Sequence, residues 1–152
     1  MSERIQLSAA LPDAYRHLAR AGRVAEKAAV EAGLDQRLVE LVKIRVSQLN
    51  GCAFCVDQHT HDARQLGETE RRLFLLTAWW ETELYSEQER AALELAEAMT
   101  KLVQVQDVPD EVYQRATKVF AEEQYVAVAW VATVMNALNR LGVTSHKPPA
   151  ER

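Results

Sequence analysis

Cysteine, proline and glycine are all scarce in this chain of 152 residues, with two, four and five copies respectively. Two cysteines exclude a disulfide-stapled scaffold, and a chain of this length builds a hydrophobic core without such support. The shortage of helix-breaking residues leaves room for long helices, and no stretch carries a strand pattern. A basic stripe is also missing. The formal net charge is −4, which excludes a general nucleic-acid binder. The opening "MSERIQLSAALPD" has no basic region followed by an apolar run, so it does not read as a secretory signal. The longest apolar stretch, "YVAVAWVATVM" (Tyr125–Met135), is about half of what a bilayer span needs. These absences make a cytoplasmic protein without membrane attachment the expectation, and there a structural disulfide is out of place.

What remains is ordinary globular material: 48% hydrophobic and 26% charged residues. The apolar residues recur at three- and four-residue spacing, which predicts an all-α, single-domain bundle of about seven helices over residues 1–152. Pro12 opens the first helix and Gly33 follows its end. Asp35 caps the second, which stops near Asn50 before Gly51. The third carries Cys52 to Leu66. Thr69 caps a short fourth, Ser86 with Glu89 forms a capping box for a fifth reaching about Val103, and Pro109 opens a sixth. The seventh runs from Glu122 to Leu141, ahead of Gly142 and a loose tail over residues 143–152. Between Tyr125 and Leu138 this last helix is apolar nearly all round, so it belongs either in the centre of the core or at a subunit interface.

Both cysteines lie in one stretch, "ELVKIRVSQLNGCAFCVDQHTHDARQLG" (Glu40–Gly67). As a staple the pair is poorly placed, since so short a loop removes only roughly 2 kcal/mol of unfolded-state entropy, against about 3 for fifteen residues. As a redox pair it is well placed. Positions i and i+3 of a helix put Cα atoms roughly 5 Å apart, inside the range a disulfide accepts. Both thiols stand where unpaired N–H groups favour an anion, and His59 follows Cys55 by one turn on the same face, where an imidazolium lowers a thiol pKa. His61 points to the opposite side. In an antiparallel hairpin about Gly51, Glu40 and His59 lie roughly 15 and 10 Å from the turn, near enough in height for a carboxylate–imidazole–thiol path. The competing reading of Glu40 is a solvated or salt-bridged surface residue, because it shares an arc with Lys43 and Ser47.

Glu40, eleven intervening residues, Cys52-Ala-Phe-Cys55, three more, then His59: this pattern resembles the core motif of the alkylhydroperoxidase D (AhpD)-like, carboxymuconolactone decarboxylase superfamily. The resemblance spans residues 38–67, and "MNALNRLGV" (Met135–Val143) is similar to that family's C-terminal helix. It implies an AhpD-like all-α fold in a homo-oligomer, trimeric or built from trimers. It also implies reduction of alkyl hydroperoxides by a CxxC pair without metal or haem. Cys55 would be the peroxidatic thiol, Cys52 the resolving one, and Glu40 and His59 the proton relay. A lipoyl-type or thioredoxin-like dithiol would restore the pair. One position departs: Phe54 stands where the best-known peroxidase of the family has a histidine, so one relay member is absent.

Other readings compete. A zinc site could use Cys52, Cys55, His59 and Glu40, although His17 and His146 lie far off in sequence with no pairing pattern. A muconolactone decarboxylase would rely on acid–base groups alone, and a non-catalytic helical module would merely pack its cysteines. Trp79, Trp80 and Phe74 either line an apolar approach or serve as core and interface aromatics. Asn136, Asn139 and Arg140 read as a polar seam on a buried helix. Arg45, on an apolar face, calls for a carboxylate partner.

Overall fold

A computed structural model of the chain describes residues 3–151. Its helices are α1 (Leu7–Ala10), α2 (Pro12–Glu31), α3 (Gln36–Asn50), α4 (Ala53–Gln65), α5 (Glu70–Leu75), α6 (Glu87–Thr100), α7 (Leu102–Val105), α8 (Asp110–Val119) and α9 (Glu122–Thr144), with a 3₁₀ segment at Leu76–Glu81 between α5 and α6. Among the described residues there is no strand, and the all-α reading holds. The caps are those the sequence announces. The Asp35 carboxylate accepts from the Arg37 N–H, Thr69 from Arg72, and Ser86 and Glu89 close a reciprocal capping box. The two helices beyond the expected seven, α1 and α7, have four residues each, too short for periodicity to reveal.

The centre of the bundle is α3. Every residue from Leu38 to Ser47 is buried, because the helix packs on α4, α6 and α9 at once. On one side lies the main core, where Val39, Val42 and Val46 meet Ala92, Leu95, Val128 and Val131. On the other, Leu41 and Ile44 join Leu73, Leu76, Trp79 and Leu93. Arg45 finds its carboxylate in Glu97, with Nε 2.6 Å from Oε1, and the Trp79 indole donates to the same oxygen at 2.8 Å. Trp79 is therefore a core residue, whereas Phe74 and Trp80 are exposed.

Helix α9 divides its apolar surface. Ala127, Val128, Val131, Ala132, Val134 and Met135 are buried against α2, α3 and α6, while Val126, Trp130 and Val143 are exposed. Counted with its few polar interruptions, α9 is long and apolar enough to cross a membrane by length and composition. That exceeds the shorter span read from Tyr125–Met135 alone. Its buried face is packed inside the bundle, as the core helix of a folded domain is. A polar seam ties it to α3. Asn50 donates to Asn136 and Asn139 at 2.9 and 3.0 Å, and the fully buried Asn139 donates to Ser47 Oγ at 3.0 Å.

The C-terminal end departs from expectation. Gly142 does not stop α9, which continues to Thr144. Ser145 is buried, its hydroxyl accepting from the Leu7 N–H and its carbonyl from Gln6. The segment up to Ser145 is thus tied down by the N-terminal residues, contacts that no local pattern encodes.

Candidate active site

The site forms where α3 turns into α4. Gly51 takes the left-handed conformation (φ 69°), which reverses the chain without a Cβ penalty. Cys52 is the residue that caps α4, one position outside the helix, and its Sγ accepts from the Cys55 N–H at 3.3 Å. Cys52 and Cys55 are joined in a disulfide with Cα atoms 5.3 Å apart, as the i, i+3 spacing predicts. Both are buried, at 2% and 5% exposure.

The hairpin brings Glu40 to His59. Glu40 Oε2 lies 3.1 Å from His59 Nδ1, and Oε1 lies 2.5 Å from Lys43 Nζ. Lys43 in turn holds Glu26 of α2 at 3.1 Å. Glu40 is only 5% exposed and Lys43 only 4%, so the surface reading of Glu40 fails although its salt bridge to Lys43 exists. Burial opposes the charge on Glu40, but the His59 hydrogen bond and the Lys43 ammonium outweigh it and hold the carboxyl below its ordinary range. An ionised carboxylate only accepts. His59 therefore donates through Nδ1, and its neutral form with that hydrogen bond has its lone pair on Nε2, the tautomer of a general base.

Beside these groups is a cavity of about 360 Å³, within the range of small-molecule sites. Cys55, His59, Phe54 and Lys43 line it together with apolar side chains of α9 such as Met135 and Leu138. Cys52 is not among the lining residues, nor are Phe74, Trp79 and Trp80, and apart from His59 the aromatic rings on the cavity wall are those of Phe54 and Tyr15. His61 is exposed and faces a different surface hollow. In this disulfide form the two sulfurs are bonded to each other and are not free thiolate ligands. The metal-capable group among the described residues is Glu40, His59 and Asp62, and one oxygen of Glu40 there already faces the Lys43 ammonium.

Sequence reasoning missed Gly142, Lys147 and Glu26. A Cβ built on Gly142 would stand 2.9 Å from Cys52 Sγ and 3.6 Å from Cys55 Sγ. The glycine is there so that α9 can lie against the sulfurs. Gly142→Ala is expected to act in opposite directions in the two redox states. In the reduced protein the thiols can rotate away, and alanine's helix preference adds up to about 1 kcal/mol. In the disulfide form the sulfurs are fixed, and crowding costs about 1–3 kcal/mol. Urea denaturation of both forms checks this, and equal shifts in the two would refute the contact argument.

Residues 9–98 match the carboxymuconolactone decarboxylase family model. The chain belongs to that family. It is 48% identical over 118 residues to the uncharacterized protein YdfG of Bacillus subtilis, covering 78% of this chain and 80% of that one. It is 35% identical over 65 residues to the uncharacterized protein YnjA of Escherichia coli, covering 43% of this chain and 36% of that one. A crystal structure of a protein of unknown function from Agrobacterium tumefaciens, suggested to be the antioxidant defence protein AhpD, superposes with a TM-score of 0.86. The identity is 31%, covering 99% of this chain and 100% of that one. The debrominase Bmp8 shares the fold alone, with a TM-score of 0.68 and 19% identity over 77% of this chain and 62% of that one. The AhpD-like fold expected from the motif is thus the fold observed.

Proposed function

We propose that the protein is a thiol-dependent peroxidase and disulfide reductase acting on alkyl hydroperoxides. The observation that carries this reading is that Cys55 and His59 line one apolar cavity, His59 is fixed by a buried carboxylate, and Cys52 sits behind the wall in disulfide contact. In the reduced enzyme His59 Nε2 takes the Cys55 proton, and the resulting thiolate attacks the terminal peroxide oxygen. The O–O bond breaks, Cys55 becomes a sulfenic acid, and the alkoxide leaves as alcohol with the proton returned. The Cys52 thiol then displaces water from the sulfenic acid, closing the disulfide. An external dithiol, lipoyl-type or thioredoxin-like, reopens it by exchange and leaves oxidised itself. Such a cycle belongs in the reducing cytoplasm. A decarboxylase reading would need the acid–base groups and not the sulfurs. The cavity position of Cys55 favours the redox one.

The test is direct. Reduced protein mixed with cumene hydroperoxide should lose two thiols per chain and yield one equivalent of cumyl alcohol. Thiols that survive excess hydroperoxide would end the proposal.

Assembly into a homo-oligomer, a trimer or hexamer, is part of the same reading. A face shared by α2 and α9 exposes Val24, Val126 and Trp130, the last at 56%, around a shallow apolar groove. Trp130→Glu is expected to convert the oligomer to monomers in sedimentation velocity. An unchanged sedimentation coefficient would place the interface elsewhere.

A further inference from the structure

The cavity beside Cys55 carries more positive charge than its proton relay uses. Lys43 is neutralised by Glu26 and Glu40. Two further cations line the same cavity: Arg23 of α2 and Lys147, just beyond α9. Among the described residues neither is paired with a carboxylate. Lys147 is half-buried and stands over the Phe54 ring, 3.7 Å from its centroid. Burial pushes its pKa down, so an anion arriving beside it would relieve an unfavourable situation. The position is not a loose end of the chain, because the Lys147 N–H donates to the Gly142 carbonyl at 3.0 Å. Glu26, the one carboxylate in the lining, is taken by Lys43. The rest of the wall is largely apolar, with Val131, Val134, Met135, Leu138 and Leu141 from α9.

An apolar wall next to unpaired cations selects an amphipathic anion. We propose that the substrates are hydroperoxides of medium-chain carboxylic acids, with the alkyl chain against α9 and the carboxylate recognised by Arg23 and Lys147. The inference rests on the peroxidase reading for its chemistry but not for its binding. The reaction balances as above. The hydroperoxide group is reduced to an alcohol, Cys55 and Cys52 are oxidised to the disulfide, and the carboxylate is unchanged. Carboxylate recognition by two cations is charge-assisted, and its loss shows as a tenfold or larger effect.

The experiment has a kinetic and a binding arm on the full-length protein. In the first, stopped-flow oxidation of the reduced protein compares a medium-chain hydroperoxy acid with its own methyl ester. The acid should react at least tenfold faster, and the ratio should fall close to one in the Arg23→Gln, Lys147→Gln double variant. Lys27→Gln, on the exposed side of α2 and paired with Glu31, should keep the ratio. In the second arm, calorimetry on the disulfide form compares decanoate with methyl decanoate. Decanoate should bind at least tenfold more tightly, again only with Arg23 and Lys147 present. Equal behaviour of acid and ester in both arms overturns the inference. Preferential decanoate binding with thiols inert to every hydroperoxide supports the anion site and instead removes the peroxidase reading.

Discussion

Replacing Cys55 with serine is expected to abolish the fast phase of thiol oxidation by hydroperoxide, leaving only the slow background of an ordinary buried thiol. Cys52→Ser should do the opposite: it should keep the first step and stall after it. The asymmetry follows from position. Cys55 is on the cavity wall with His59 one turn along α4, while Cys52 caps the helix and does not reach the cavity lining. A thiol that meets substrate at a positioned base reacts as a thiolate, and one that does not can only condense with the product. In Cys52→Ser, the sulfenic acid on Cys55 should therefore accumulate and be trapped by dimedone, one adduct per chain by mass spectrometry. Should Cys52→Ser lose the fast phase and Cys55→Ser retain it, the two roles are exchanged.

Glu40→Gln is expected to lower the rate of Cys55 oxidation by about 10²–10⁴-fold, the usual scale of general-base contributions. The glutamine is nearly the same size, but its amide can donate to His59 Nδ1, which would move the imidazole proton to Nε2 and remove the base. In the proposed mechanism Glu40 is a positioning residue, and its effect should appear as loss of the ionisation that governs the pH–rate profile as well as in the rate itself. A Glu40→Gln protein with the wild-type pH profile would disprove this role. The same carboxylate is structural. Glu40→Ala would leave Lys43, itself 4% exposed, with Glu26 as its remaining partner, and should lower stability by less than the loss of a buried charge's sole partner would. The pH dependence has a definite sign. The folded-state pKa of Glu40 is depressed from an ordinary 4.5, so its contribution is complete above that value. It is lost as pH falls through the lower folded pKa. Glu97, half-buried yet held ionised by Trp79, Arg45 and Lys101, adds to the same acid limb. Urea midpoints measured from pH 7 down to 3 should fall less steeply for Glu40→Gln than for wild type.

Much of this was legible because its physics is local. Asp35, Thr69 and the Ser86–Glu89 pair announce helix starts through side chains that satisfy N–H groups a few residues away. The i, i+3 geometry of one helical turn is enough to say that Cys52 and Cys55 can bond. Glycine at 51 forecasts the reversal that sets α3 against α4, and from that hairpin the encounter of Glu40 with His59 follows. Gly142 shows where local reasoning stops. In the sequence a glycine near the end of an apolar helix reads as a terminator. In the fold it is a gap in the wall of α9 that admits two sulfurs from a segment ninety positions earlier.

The sequence alone therefore determined the seven longer helices, the turn and the ability of the two cysteines to bond, because each depends on residues within a turn or two of one another. Only the tertiary structure decided that Cys55 and not Cys52 lines the cavity, that Lys43 and Glu26 form an ion-pair chain with Glu40, and that Arg23 and Lys147 lack carboxylate partners among the described residues. Those facts arise where α2, α4 and α9 meet. Contacts between segments far apart in the chain depend on how whole helices pack, and no periodicity within a single helix encodes them.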